Sequence, residues 1–342
     1  MSSKILRNLF FGVGILLFGA LLYNLGWDNL LKALRQIGWW WVALLAMAIT
    51  WQACHTLAWH HILRFSSHRL PFFRLFRLKI VAEAVNMIAP SANIGGETAR
   101  VFLIKKDIPT SDGISSVVVD KTLDNVTKLL FNALGLLLSV LFIPIPDAWV
   151  IGSLIYLFIA LLFAIALIWV QVKGITGWVS NIGGRIPRVK RWLEKQRQKL
   201  ESLDGNFKDI YARGLPSLAI ATLWHLVGRT LGMLEIWLIM HLLGAPVTLL
   251  EAFFIATVAN IAMGALFLIP GQWGALEYVQ LLLVKLIGFT PEIGASLAVI
   301  RRIRRVALTG LGLAFFYLFK NEVPIKKAIT PQPNPPDIPP AD

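Results

Sequence analysis

Residues 149–170 read WVIGSLIYLFIALLFAIALIWV. None of these side chains is charged, and a helix of about 20 apolar residues matches the roughly 30 Å hydrocarbon core of a bilayer. The stretch therefore reads as a transmembrane helix. Comparable runs lie on either side of it, notably residues 215–243, and 56% of the 342 residues are hydrophobic while only 15% are charged. A soluble domain carries roughly a quarter charged residues, so the composition predicts an all-α polytopic membrane protein. The net charge of +14 sits in short stretches between the apolar runs, where lysine and arginine orient a chain against an anionic inner leaflet; nucleic acid is not an expected partner. Cys54 is the only cysteine, which excludes an intramolecular disulfide framework and a cysteine metal cluster.

Outward from this run, the N-terminal segment from Lys4 to about Leu25 reads as an uncleaved first helix, and a second span covers about Trp39 to His61. A basic loop carrying Arg64, Arg69, Arg74, Arg77 and Lys79 follows and places itself and the N-terminus in the cytoplasm, as Lys320, Lys326 and Lys327 after the last span do for the C-terminus. From Ile80 the chain is apolar for only about ten residues before it breaks at Pro90, Gly95 and Gly96, which predicts a re-entrant helical hairpin over about 80–104. A long span from about 111 to 142 carries Asp120, Lys121, Asp124 and Lys128. After the span at 149–170, residues 173–213 hold ten basic and four acidic side chains. Val189, Trp192, Leu193, Leu200 and Leu203 fall near one helical face there, the pattern of a helix on an anionic membrane surface or of a solvated connector. The span at 215–243 carries His225, Arg229 and Glu235. A second interrupted segment, about 251–288, breaks at Pro270, Gly271 and Gly274, and a last span covers about 293–319. Residues 321–342 are proline-rich and read as a disordered tail.

The two interrupted segments match at a constant offset. Pro270, Glu277, Arg301 and Arg304 each follow Pro90, Glu97, Lys121 and Asp124 by 180 residues, and Asn86 and Asn260 precede the two prolines. With the loop charges, this predicts an inverted-topology repeat, residues 1–146 and 147–320, each with spanning helices and one broken hairpin. Paired interrupted segments of this kind point to a transporter's midplane site. A charge at mid-membrane costs about 2.5–3.5 kcal/mol on insertion scales and is usually interior and paired. The candidate headgroup-binding residues are therefore Glu97, Arg100, Asp120, Lys121, Asp124, Glu277, Arg301 and Arg302, with Asn86, Pro90, Gly95, Gly96, Asn260, Pro270, Gly271 and Gly274 shaping the breaks. Each charge could equally neutralise a neighbour between packed helices, and Glu97 and Glu277 could simply cap the helices that they begin.

At NMIAPSANIGGETAR (86–100), PGQWGALE (270–277) and VVVDKTLDNVTKLL (117–130) the chain resembles the lysylphosphatidylglycerol synthase transmembrane-region family, also described as flippase-like domains. The resemblance covers about residues 5–320, with Arg302 at the family's late arginine, and implies movement of a lipid headgroup across the cytoplasmic membrane of a bacterium or archaeon. Lys121 stands where the family usually has arginine and Leu276 where it often has arginine. The soluble aminoacyl-transferring domain of the bifunctional synthases does not follow, so synthesis of lysyl lipid is not expected.

The expected function is thus a lipid translocase of the bacterial inner membrane acting on an anionic or zwitterionic headgroup, rather than an enzyme, with no metal and no cofactor. An embedded lipid transferase is one rival: Asp120 and Asp124 echo the closing D-x-x-x-D of metal-dependent phosphatidyltransferases, but the leading D-G-x-x-A-R is missing. A scaffold for a lipid-synthesis enzyme is the other, and a second copy of the chain is a further candidate partner. The histidines lack metal-site spacing, and His225 and His241 read as isolated.

Overall fold

Apolar runs of this length can satisfy their backbone groups in lipid only as helices, and helices are what the computed structural model contains. It describes residues 27–65, 69–88, 95–177, 187–266 and 274–318. The first helix read from the sequence, the break residues Pro90, Pro270 and Gly271, and the proline-rich tail lie outside these residues. Every regular element described is helical: α1 (Trp27–Ile37), α2 (Trp41–Ile62), α3 (Phe72–Ile88), α4 (Gly95–Ile104), α5 (Thr110–Phe142), α6 (Asp147–Lys173), α7 (Pro187–Arg213), α8 (Leu215–Leu242), α9 (Leu249–Ala265), α10 (Ala275–Leu286) and α11 (Pro291–Leu318).

Four stretches, Leu31–Ile62, Thr110–Phe142, Asp147–Lys173 and Leu215–Leu242, are long and apolar enough to cross a membrane. The 33 residues of α5 extend about 50 Å, well beyond the bilayer core. Helix α6 buries little of itself: Phe158, Ile159 and Phe163 are exposed on a helix without a charge between its ends. Such a surface is stable only against lipid or another apolar partner. The chain is a multi-pass α-helical membrane protein. Helix α11 has spanning length at 28 residues, but Arg301, Arg302, Arg304 and Arg305 interrupt its apolar character midway.

Local signals set the helix ends. Thr248 and Glu251 cap α9 reciprocally, each side chain bonding the other's backbone N–H. Gly174, at φ 100°, ends α6 in a conformation that side chains other than glycine's rarely adopt. Asn86, at the end of α3, accepts a hydrogen bond of 2.6 Å from the Gly96 backbone N–H and so satisfies one free donor at the start of α4.

Helix α3 begins at Phe72, which moves Arg74, Arg77 and Lys79 from the expected basic loop onto a helix. There they have partners: Arg74 pairs with Asp107 at 3.2 Å and Lys79 with Asp120 at 3.3 Å. Helix α7 departs from the expectation as well. Instead of lying free on a membrane surface, it packs on α5 and α6 and buries Leu200, Phe207 and Ile210. Asn206 Nδ2 donates to Asp112 Oδ1 at 3.0 Å, the Tyr211 hydroxyl donates to Gln171 Oε1 at 2.9 Å, and Asp204 accepts from the Ile175 and Thr176 N–H groups. Of the apolar stripe, Leu200 is buried and Leu203 half-buried against the protein. The side chains of Val189, Trp192 and Leu193 lie outside the described set.

The helices exchange partners across the molecule. Helices α2 and α8 pack against each other, α3 packs on α11, and α9 packs on α5. One apolar cluster joins α8, α9, α10 and α11 around Ile236, Phe254, Leu283 and Ile300. Another joins α2 through α5 around Trp59, Leu75, Leu103 and Val117. Between these clusters lie the charged side chains.

Candidate functional site

A cavity of about 480 Å³ opens where α2, α3, α4, α5, α8, α9, α10 and α11 converge. This volume falls within the usual range for small-molecule sites. Helical spacing selects the lining. Asp120, Lys121, Asp124, Asn125 and Lys128 share one face of α5, and Arg301, Arg304, Arg305 and Leu308 share one face of α11. Helices α3 and α4 supply Lys79, Glu83, Asn86, Glu97 and Arg100; α2 and α8 supply His55, His225, Arg229 and Glu235; α9 and α10 add Asn260 and Gln280.

Two acidic centres organise the walls. Asp120, 2% exposed, receives Arg100 Nη2 at 2.7 Å, Lys79 Nζ at 3.3 Å and His225 Nε2 at 3.2 Å. Asp124, one turn along, receives Arg229 Nη2 at 2.5 Å. His225 Nδ1 lies 2.9 Å from His55 Nδ1, and both nitrogens lie within 4 Å of Asp124 Oδ1. Opposite, Glu235 of α8 is met by Arg304 Nε at 2.9 Å and Arg301 Nε at 3.8 Å. Lys121 Nζ closes on Glu97 Oε1 at 2.7 Å. The Arg100 guanidinium also sits 3.9 Å above the Trp59 ring, a cation–π contact that fixes it from behind.

Six of the residues singled out in the sequence meet in this cavity: Glu97, Arg100, Asp120, Lys121, Asp124 and Arg301. Glu277 and Arg302 do not line it. They form a closed ion pair beside it, with Arg302 Nε 2.6 Å from Glu277 Oε1 and both side chains almost fully buried. Arg302 projects about 100° around the helix from Arg301, so the face that carries Arg301, Arg304 and Arg305 to the cavity turns Arg302 away. Among the break residues, Asn86, Gly96 and Asn260 line the cavity, and Gly95 and Gly274 sit at the starts of α4 and α10.

His225 is not isolated, as its spacing suggested; it joins α2 to α5 through His55 and Asp120. The sequence reading also passed over His55, Lys79 and Glu83 as site residues. One signal was available: Glu235 follows His55 by 180 residues, as Arg304 follows Asp124. The contacts His55–Asp124 and Glu235–Arg304 thus occupy matching positions with the charges reversed.

The lining carries eight lysines and arginines (Lys79, Arg100, Lys121, Lys128, Arg229, Arg301, Arg304, Arg305) against five acids (Glu83, Glu97, Asp120, Asp124, Glu235). Neither Lys128 nor Arg305 has a carboxylate at ion-pair distance among the described residues. Such a surplus in a membrane-embedded cavity favours an anion. His55, His225 and Asp124 bring possible metal-ligand atoms within 4.8 Å of one another. Arg229 already holds the carboxylate oxygen that such an ion would need, and Lys79 and Arg100 lie next to it on Asp120. This donor set does not suit a divalent cation.

The family profile described as "Lysylphosphatidylglycerol synthase TM region" matches residues 5–312. A UPF0104 membrane protein of Methanothermobacter thermautotrophicus is 25% identical over 330 residues, covering 91% of this chain and 95% of its own. A second UPF0104 membrane protein, from Methanocaldococcus jannaschii, is 24% identical over 326 residues, covering 92% and 95%. No solved structure matches. With the profile spanning most of its length and a helical membrane fold around one charged cavity, the chain belongs to the lysylphosphatidylglycerol synthase transmembrane-region family.

Proposed function

We propose that this protein moves a lipid headgroup bearing an anionic phosphate across the membrane, with the cavity as the headgroup's polar passage. The observation that carries this reading is the surplus of cations in a cavity between apolar helices, above all Lys128 and Arg305, which have no carboxylate at ion-pair distance among the described residues. Charges are expensive at membrane depth and are retained where they line a polar pathway. The exchange of partners, α3 on α11 and α9 on α5, supports two inverted repeats whose broken hairpins each pack on the long helix of the other half. The walls can then shift as two bodies around one site.

A metal-dependent transferase finds less support. Asp120 and Asp124, the carboxylates that it would use, are already engaged by Lys79, Arg100 and Arg229. The test is dithionite accessibility of headgroup-labelled lipids in proteoliposomes, comparing wild type with Glu97→Gln and Asp124→Asn at equal reconstitution. The proposal expects protein-dependent exchange, faster for phosphatidylglycerol than for phosphatidylcholine and lost in both variants. Exchange equal to that of protein-free vesicles for every phosphate lipid refutes it.

A further inference from the structure

The His55–His225 pair is a buried titratable unit of the cavity wall, set between the two acidic centres Asp120 and Asp124. Hydrogen-bond arithmetic fixes its resting state. The ionised Asp120 carboxylate can only accept, so His225 Nε2, 3.2 Å from Oδ1, carries a hydrogen. In a neutral ring His225 Nδ1 is then a bare acceptor, and the nitrogen 2.9 Å from it, His55 Nδ1, must be the donor. This leaves His55 Nε2 without a hydrogen, and that atom is buried with no partner. The neutral pair accounts for every contact made.

A further proton does not fit this arrangement: a hydrogen on each Nδ1 would set two N–H groups against one another at 2.9 Å, and a hydrogen on His55 Nε2 would be a buried donor with no acceptor. The nearest acceptor for both is Asp124 Oδ1, 3.7 Å from His55 Nδ1 and 3.6 Å from His225 Nδ1. That oxygen is occupied by Arg229 Nη2 at 2.5 Å. We infer that the pair is a one-proton site: a proton from cavity water turns the Asp124 carboxylate from Arg229 to the imidazolium and leaves the Arg229 guanidinium, still anchored on the Asp124 backbone carbonyl and beside Lys128, without that carboxylate and able to hold a phosphate anion.

The surroundings set the direction of the coupling. Facing the pair, α3 presents Lys79 and Glu83, α4 Arg100 and Glu97, α5 Asp120, Lys121, Asp124 and Lys128, α8 itself Arg229 and Glu235, and α11 Arg301, Arg304 and Arg305. Helix α9 lines the cavity with no titratable group, and α1 and α7 do not line it. The cations outnumber the acids, so the empty cavity opposes an added proton and an anion within it favours one. By linkage the proton must favour the anion equally. Headgroup binding therefore takes up a proton and strengthens as pH falls, by up to about tenfold per pH unit for one coupled proton.

This rests on the proposed headgroup site, and its test separates the two. The purified full-length protein in detergent is titrated calorimetrically with short-chain phosphatidylglycerol, and separately with glycerol phosphate, in two buffers of different ionisation heat, from pH 6.5 to 8.5. The expected result is uptake of close to one proton per phosphatidylglycerol bound. His55→Asn and His225→Gln, each with a melting temperature near wild type, abolish that uptake. Wild-type binding without uptake, or uptake that survives both substitutions, overturns the proton site and leaves the headgroup site standing. Uptake with glycerol phosphate but no binding of lipid supports the proton site and refutes the lipid assignment. No binding of either anion overturns both.

Discussion

Removing the carboxylate of Glu277 should destabilise the protein strongly although it lies outside the cavity wall. Glu277 and Arg302 are 3% exposed each, and Arg302 Nε donates to Glu277 Oε1 at 2.6 Å. Glu277→Gln removes the carboxylate that the buried Arg302 guanidinium pairs with. Breaking a buried pair from one side costs about 3–5 kcal/mol. At about 1.4 °C per kcal/mol for a chain of 342 residues, from an unfolding entropy of about 2.1 cal/mol/K per residue, the melting temperature should fall by roughly 4–7 °C. Replacing both partners by uncharged groups of similar volume, Glu277→Gln with Arg302→Met, removes the buried cation as well, and such replacements are often neutral or stabilising. The double variant should therefore recover most of the loss. Thermal unfolding of detergent-purified protein, followed by tryptophan fluorescence, measures all four corners of the cycle. If Glu277→Gln melts within 2 °C of wild type, in keeping with a solvated group lining the cavity, the closed pair is refuted.

Other consequences follow from particular contacts. Gly312 lets α11 approach α3 so closely that a Cβ there would lie 2.6 Å from the Ile80 carbonyl oxygen and 2.7 Å from Ala84 Cβ; Gly312→Ala should cost about 1–3 kcal/mol in the same unfolding assay, as overpacking does. Burial pushes the Tyr211 hydroxyl up to about 12 from its ordinary value near 10. The neutral phenol is therefore the form that the docked α7 favours, and its contribution is complete below about pH 10 and lost as pH rises through about 12. A spin label at Lys199 should gain mobility over that window, and Tyr211→Phe should remove the transition. Lys128→Gln combined with Arg305→Gln should slow phosphatidylglycerol exchange about ten- to a hundredfold, since a hydrogen bond to a charged group contributes about 1.5–3 kcal/mol, and should affect phosphatidylcholine less.

What could be read from the sequence depended on whether a residue's cost in lipid or its neighbours in space decided its place. Residues 149–170 admit only one solution in a bilayer, and α6 is that solution. Asp120, Asp124, Glu97 and Lys121 stood out because charges within apolar spans demand partners, and all four meet in one cavity. Arg302 was misplaced because the four arginines of α11 are adjacent in sequence while a helix turns about 100° per residue; the face was legible from the spacing, but which face looked inward was not. His55 and Glu235 escaped because the offset was followed only through the broken segments and the helices after them, whereas these two residues lie on the helices before the breaks. Helix α7 was read as a membrane-surface helix or a solvated connector because its amphipathic pattern is the same whether lipid, water or α5 and α6 meet it. Asp204, which caps the segment after α6, and Asn206, which bonds Asp112, are the polar anchors that decide between them.

The most direct measurement places a photo-crosslinking side chain at Asn125, inside the cavity, and a control at Phe158, on the exposed face of α6. After irradiation in native membranes, the adducts are identified by mass spectrometry. A headgroup passage predicts adducts of phosphate-bearing lipid at Asn125 enriched over those at Phe158, and their loss in Lys128→Gln with Arg305→Gln. A crosslinker at Asn125 that captures no lipid, while Phe158 captures bulk lipid, contradicts it.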